Sequence, residues 1–244
     1  MKTKLMIALL LQFCLYGCIT VSSNGNSKRI KGNGVSTHKE ITLTEFKKLR
    51  LNLSIDLKIV EGSEYALSIQ GDENLVALIN CTQKDDLLTI NLTEDNVELE
   101  NNVTATLTMP TSLEAIRTSG MPSVHIIQKI TVDKFAVDCS GMTKMNVDRM
   151  FAPLFVAEVS GMSKLNVIGQ TTTIKADCSG MSDINLLDLQ SANANVDCSG
   201  MSKVIVWAAE ELSADCSGMS KIVYKGDPKS KDNNVSGMSS IKQK

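Results

Sequence analysis

The sequence predicts an all-β solenoid built from coils of about twenty residues, and three observations carry that prediction. The tripeptide Ser-Gly-Met occurs seven times, with its glycines at Gly120, Gly141, Gly161, Gly180, Gly200, Gly218 and Gly237, so successive copies lie 18 to 21 residues apart. Every second residue before the glycine is apolar: Phe135, Val137 and Cys139, then Phe155, Ala157 and Val159, then Ile174, Ala176 and Cys178, with Ala194, Val196, Cys198 and Leu212, Ala214, Cys216 following. A second apolar alternation begins a few residues after it, as in Met145 and Val147 or Leu165 and Val167. Period-two alternation belongs to a strand with one buried face, not to a helix. A period near twenty is too short for helical-hairpin repeats, and the leucine-rich signature is absent.

At the amino terminus, Met1-Lys2-Thr3-Lys4 forms a basic start, and Leu5 to Leu11 is an apolar run too short to span a membrane as a helix. This predicts a signal segment over residues 1–17. The tetrapeptide Leu15-Tyr16-Gly17-Cys18 resembles the bacterial lipobox, with Cys18 as the lipidated residue and Tyr16 bulkier than usual at its place. An ordinary signal peptide cut nearby is the alternative. No second hydrophobic run follows, so the chain is expected to meet the membrane through its amino-terminal lipid. Residues 18–40, rich in Ser, Asn, Gly and Lys at their start, read as a flexible tether. There is no acidic cluster before Glu40, which weakens the case for export to the cell surface. The expectation is an outer-membrane lipoprotein whose side of the membrane is left open.

Residues 41–115 keep the β character without the Ser-Gly-Met punctuation. Leu49 to Val60 alternates almost throughout, followed by Tyr65 to Ile69, Leu87 to Leu92 and Val103 to Met109, while Asp72 to Ile79 could form one short helix. Gly62, Gly71 and Pro110 mark turns. These strands are expected to continue or cap the coil, because an open solenoid end exposes unpaired backbone.

Residues 116–241 hold the repeats. Each Ser-Gly-Met glycine lies between two strands, where a missing Cβ permits a corner with positive φ, and the following methionine is expected to fold its thioether into the core. Stacked coils put equivalent side chains in ladders about 4.8 Å apart. A copper-binding methionine array is the alternative, and it would need sulfurs converging on an exposed point. Of the seven cysteines, those at Cys139, Cys178, Cys198 and Cys216 would form a ladder whose parallel Cβ atoms sit wider apart than the roughly 3.5–4.5 Å a disulfide prefers. They are expected to be free, buried thiols.

Hydrophobic residues make up 43% of the 244 residues and aromatic ones only 4%, which suits thin layers of aliphatic side chains. A net charge of -2, from 25 basic and 27 acidic residues dispersed along the chain, leaves no footprint for nucleic acid. The two histidines, His38 and His125, anchor neither a triad nor a zinc motif; His38 falls in the tether, and His125 takes the place that Asn146, Asn166 and Asn185 hold in later coils. That asparagine column could stack its amides. The most suggestive pattern is an outward acidic column, Asp138, Glu158, Asp177, Asp197 and Asp215, three residues before each glycine, faced across the corner by Lys144, Lys164, Asp183, Lys203 and Lys221. Stacked carboxylates could take calcium or contact sugars; the plainer reading is a solvated face balanced by lysines. No motif implies a cofactor or a dedicated metal site.

Together these stretches resemble the auto-transporter adhesin, head GIN domain family of bacterial envelope proteins. The matching segments are Phe46-Lys47-Lys48-Leu49 leading into Leu53 to Gly62, then Leu67 to Leu75, Leu87 to Ile90, and the Ser-Gly-Met series. The resemblance spans about 41–241 and implies one continuous domain, a right-handed parallel β-helix-like solenoid with a less regular amino-terminal portion. It implies no catalytic residues.

The leading expectation is therefore a non-enzymatic, lipid-anchored envelope module that binds a glycan or protein ligand, an adhesin. One alternative is a periplasm-facing structural or stress-related lipoprotein. Another is a carbohydrate-active enzyme working through the acidic column, against which the uniform coils count: a glycosidase needs a pair of acids at a defined separation on a cleft. The sequence does not specify an oligomeric state.

Overall fold

The computed structural model describes residues 28–100 and 103–244. Residues 1–17, expected as a signal segment, and Cys18, expected to carry lipid, lie outside the described residues. The protein is nearly all β, a solenoid of about six turns of roughly twenty-residue coils with a curled sheet at its amino-terminal end.

Each repeat contributes two principal strands separated by the Ser-Gly-Met corner. On one face Ala115–Ser119, Lys134–Cys139, residues 154–159, residues 173–178, residues 193–198, Glu211–Cys216 and Ser230–Val235 pair in parallel, one rung on the next. On the other face Ser123–Ile126, residues 144–147, residues 164–167, Asp183–Leu186, Lys203–Trp207, Lys221–Lys225 and Ser240–Gln243 do the same. A short third side, from Ile130–Thr131 through residues 150–152 and 169–171 to residues 189–191, closes the coil between them.

Parallel in-register pairing makes like pack on like. Phe135 lies over Phe155 with ring centroids 6.1 Å apart and planes 24° from parallel, and Ile174, Ala194 and Leu212 extend that ladder through the core. Cys139, Val159, Cys178, Cys198 and Cys216 form the ladder nearest the corner, all buried, with free thiols as expected. Burial pushes the Cys139 thiol up to about 12, and a hydrogen bond to Cys198 together with burial raises Cys178. Such thiols stay protonated and pack as small apolar groups.

The amino-terminal half continues this coil. Lys48–Asn52 and Asp56–Glu61 form the rung beneath Ala115–Ser119 and Ser123–Ile126, and Leu87–Leu92 and Thr104–Met109 lie beneath those in turn. Beyond them the pairing turns antiparallel: Ile79–Lys84 covers Leu87–Leu92, Ala66–Asp72 covers Thr104–Met109, and Ser36–Thr42 covers Ala66–Asp72. The cap consumes the edge of the solenoid.

Three expectations need correction here. The run Leu49 to Val60 is two strands, because Leu53, Ser54 and Ile55 turn the corner on which Gly120, Met121 and Pro122 stack. The short helix is a single turn, Glu73–Val76, that buries Leu75 and Val76. The tether, expected over 18–40, does not reach Glu40: Lys28–Ile30 pairs with Val97–Leu99, and Ser36–Thr42 belongs to the antiparallel cap, where His38 meets Glu40 at 2.5 Å. Alternating Ile41 and polar neighbours give that strand one face to lay on the cap.

The methionines are the fourth correction. Met121, Met142, Met162, Met181, Met201 and Met219 are 41 to 54% exposed and Met238 is 79% exposed. All seven glycines hold φ between +73° and +86°, the left-handed region. This turn carries the methionine outward, and the next residue takes the inward seat: Thr143, Ser163, Ser182, Ser202 and Ser220 are buried. Their hydroxyls close the turn, as when Ser202 Oγ donates to the Ser199 carbonyl at 2.7 Å and reaches the Gly180 carbonyl below at 3.2 Å. A small hydroxyl that satisfies buried backbone wins that seat over a longer thioether.

From Gly141 onward the glycines are also required by crowding. A Cβ on Gly180 would lie 2.6 Å from the Gly161 carbonyl oxygen of the rung below. Gly180→Val is therefore expected to cost on the order of 3 kcal/mol from backbone strain and contact together, and Gly180→Ala nearly as much, both read as the midpoint of denaturant unfolding. Ser202→Ala should cost about 1 kcal/mol through its lost hydrogen bonds. Equal stability for all three and the parent would mean that the corners do not stack as described.

Candidate binding face

The Ser-Gly-Met corner is a ridge between two flat faces, and each face presents a charged column beside it. Strand pairing places Asp138 next to Glu158, then Asp177, Asp197 and Asp215, one per rung. Across the ridge it stacks Lys144, Lys164, Asp183, Lys203 and Lys221. The acidic column read from the sequence is thus brought together along one line. Arg117, one rung before it, holds Asp138 with Nε 2.7 Å from Oδ2.

Near the carboxyl end, Asp177, Asp197 and Asp215 line an open depression with Ser199, Ser217 and Asn234. Partial burial, then the neighbouring charges of Asp215 and Asp177, raise the Asp197 carboxyl above its ordinary value. Parallel carboxylates at rung spacing feel one another. Calcium, however, takes six to eight oxygens around one point; among the described residues no three His, Cys, Asp or Glu side chains converge in that way. The column is linear and gives a cation no cage.

The asparagine column is realised where Asn185 Nδ2 donates to Asn166 Oδ1 at 2.9 Å. His125 sits in register with Asn146, as its place in the coil suggested, and its Nε2 lies 2.8 and 2.9 Å from the two carboxylate oxygens of Asp148. His38 lies apart, in the antiparallel cap.

A second surface feature escaped the sequence reading. On the short third side, Phe151 is 37% exposed and lines an open depression of about 560 Å³ with Thr131, Asp133, Pro153, Gln170 and Thr171. Lys129 Nζ stands 5.0 Å from the Phe151 ring centroid, and Gln170 Nε2 donates to Gln190 Oε1 at 3.3 Å one rung on. The available signal was an aromatic residue between the two alternations, in a segment without the regular period, followed closely by Pro153.

The raised Asp197 has a definite consequence for stability. A carboxyl whose folded pKa exceeds its unfolded one favours the folded state most at pH below the unfolded value, and that contribution is lost as pH rises through the folded value. Asp197→Asn should therefore raise the melting temperature at pH 7 and leave it unchanged at pH 3, measured by calorimetry. An equal shift at both pH values would assign the effect to packing rather than to charge.

The geometry can be set beside known proteins. A crystal structure titled as a putative adhesin from Bacteroides fragilis NCTC 9343 is similar with a TM-score of 0.83 at 22% identity, covering 88% of this chain and 100% of that one. One titled as a putative lipid binding protein from Parabacteroides distasonis ATCC 8503 gives 0.72 at 21% identity, covering 89% and 100%. A putative adhesin from that same organism gives 0.70 at 19%, with the same coverages. At such identities the likeness speaks for the fold. A comparison with curated proteins gives no match. The model of one family, described as "Putative auto-transporter adhesin, head GIN domain", matches residues 45–228, and the chain belongs to that family.

Proposed function

We propose that this protein is a non-enzymatic binding module of the cell envelope, held by lipid at Cys18 and acting in adhesion to a glycan or protein ligand. The observation that carries the reading is the in-register array. Rung after rung repeats the same outward side chains, so the surface offers a series of similar weak contacts along one axis. Such a surface suits a ligand that is itself repetitive, where linked weak contacts add up. Catalysis asks for unlike groups brought to one point within hydrogen-bond reach, which a column of like carboxylates does not supply.

The depression at Phe151 supports the same reading. It joins an aromatic face to carboxylate, amide and hydroxyl groups on an open surface, the kind of exposed contact an adhesive face offers. Family membership and the lipobox at Leu15-Tyr16-Gly17-Cys18 support placement in the envelope.

The test is placement on the cell. Antibody against residues 41–244 should label intact cells, with permeabilised cells as the control, and Cys18→Ser should move the protein from the membrane to the soluble fraction. Label that appears only after permeabilisation would end the adhesion reading and point to periplasmic partners. A Cys18→Ser protein still in the membrane fraction would end the lipid-anchor reading by itself.

A further inference from the structure

The exposed methionine ridge is an unexplained feature. Seven apolar side chains stand in one line on the surface, and their backbones repeat so regularly that each methionine N–H from Met142 to Met238 meets the preceding corner's glycine carbonyl at 2.8 Å. Single exposed apolar residues need no explanation, but a contiguous stripe marks a contact surface. Methionine suits that use, since its unbranched, polarisable chain adapts to what it meets.

The flanks say what it meets. On one side Glu158, Asp177, Asp197 and Asp215 make no ion pair within the chain, and on the other neither do Lys144, Lys164, Lys203 and Lys221, among the described residues. The ridge thus separates an unpaired acidic column from an unpaired basic one. A negative surface would be repelled by the first and a positive surface by the second. The surface that complements both at once is the same ridge turned around.

We infer that the methionine ridge is a homodimer interface, in which two copies pack side by side, ridge to ridge, with their coil axes parallel. The orientation follows from symmetry. Turn a second copy by 180° about an axis parallel to the coil axis, and its lysine column comes opposite the first copy's acidic column at the same rung. Turn it about an axis perpendicular to the coil, and acid meets acid while lysine meets lysine along the whole ridge. Charge excludes the second arrangement and fixes the register of the first.

At equal rungs Asp138 then faces Lys144 of the second copy, Glu158 faces Lys164, Asp197 faces Lys203 and Asp215 faces Lys221. The middle rung, with Asp177 and Asp183, is the one like-charged contact. It falls amid four complementary ones. Exposed ion pairs contribute little energy each, so the buried methionines supply the attraction and the columns supply the orientation. A partner's lysines would also relieve the crowding of charge around Asp197. The pair keeps both amino-terminal caps at one end, as two chains anchored to one membrane require, although the inference stands without that anchor.

The test uses the full-length chain in its own cells and after purification in detergent. Met142→Cys and Met219→Cys are made singly, at exposed positions that leave the core untouched. Under mild oxidation each single variant, made in a Cys81→Ser background because Cys81 is partly exposed, should form disulfide-linked dimers, and that background alone, whose cysteines in the repeats are buried, should not. If neither single variant cross-links but a mixture of the two does, the copies are antiparallel and the stated arrangement is wrong. If nothing cross-links, the ridge is not a dimer interface. Sedimentation gives a second readout. Serine at Met142, Met162, Met181, Met201 and Met219 should weaken self-association at least tenfold. Lys203→Asp should weaken it, and adding Asp197→Lys to the same chain should restore it. Failure of that restoration would overturn the charge register.

Discussion

The interaction on which the rest of the structure depends is the contact between successive corners, a methionine N–H on the glycine carbonyl of the rung below at 2.8 Å. It needs a chain reversal in the left-handed region and a backbone approach that a Cβ would block, and only glycine meets both conditions. Once one corner rests on another, the strands on either side have no freedom of register. A slip by one residue would turn every core side chain outward.

Register then decides the chemistry of the inside and the outside together. Inside, aromatic rests on aromatic and thiol on thiol, which fills a narrow coil without a large globular core. Buried hydroxyls of Thr143, Ser182, Ser202 and Ser220 tie their corners to their own carbonyls, so the turn adds little unsatisfied backbone to the interior. Outside, register aligns charges that lie about twenty residues apart in the chain into columns one rung apart. The acidic column is a by-product of stacking as much as a site, and at Asp197 burial first, then the neighbouring carboxylates, raises the carboxyl above its ordinary value.

The two ends are finished differently, and composition explains how. At the amino-terminal end antiparallel strands, with Ile69 and Leu67 buried, cover the parallel rungs and close the core. At the carboxyl end the last coil keeps the pairing but abandons the core pattern: Lys231 and Asn233 fall in register with Leu212 and Ala214, and Ser230–Val235 is exposed throughout. A polar, lysine-bearing final strand discourages another chain from adding to the edge.

What could be read from the sequence divides along a physical line. Properties that repeat with the coil were legible: the period, the alternation of Phe155, Ala157 and Val159, the ladder of cysteines and the charged columns all follow from spacing alone. Properties set by the local turn were not. Leu53 and Ile55 are both buried and keep the alternation running through a corner that has no glycine, so two strands looked like one. Met181 and Ser182 are adjacent, and hydrophobicity favours the methionine for the interior. The turn reverses that preference because its inward seat is lined with carbonyl oxygens, which a hydroxyl can satisfy and a thioether cannot. The outcome of that local competition, repeated at successive corners, puts the apolar line on the surface, so the ridge follows from the polar demands of the turn beneath it.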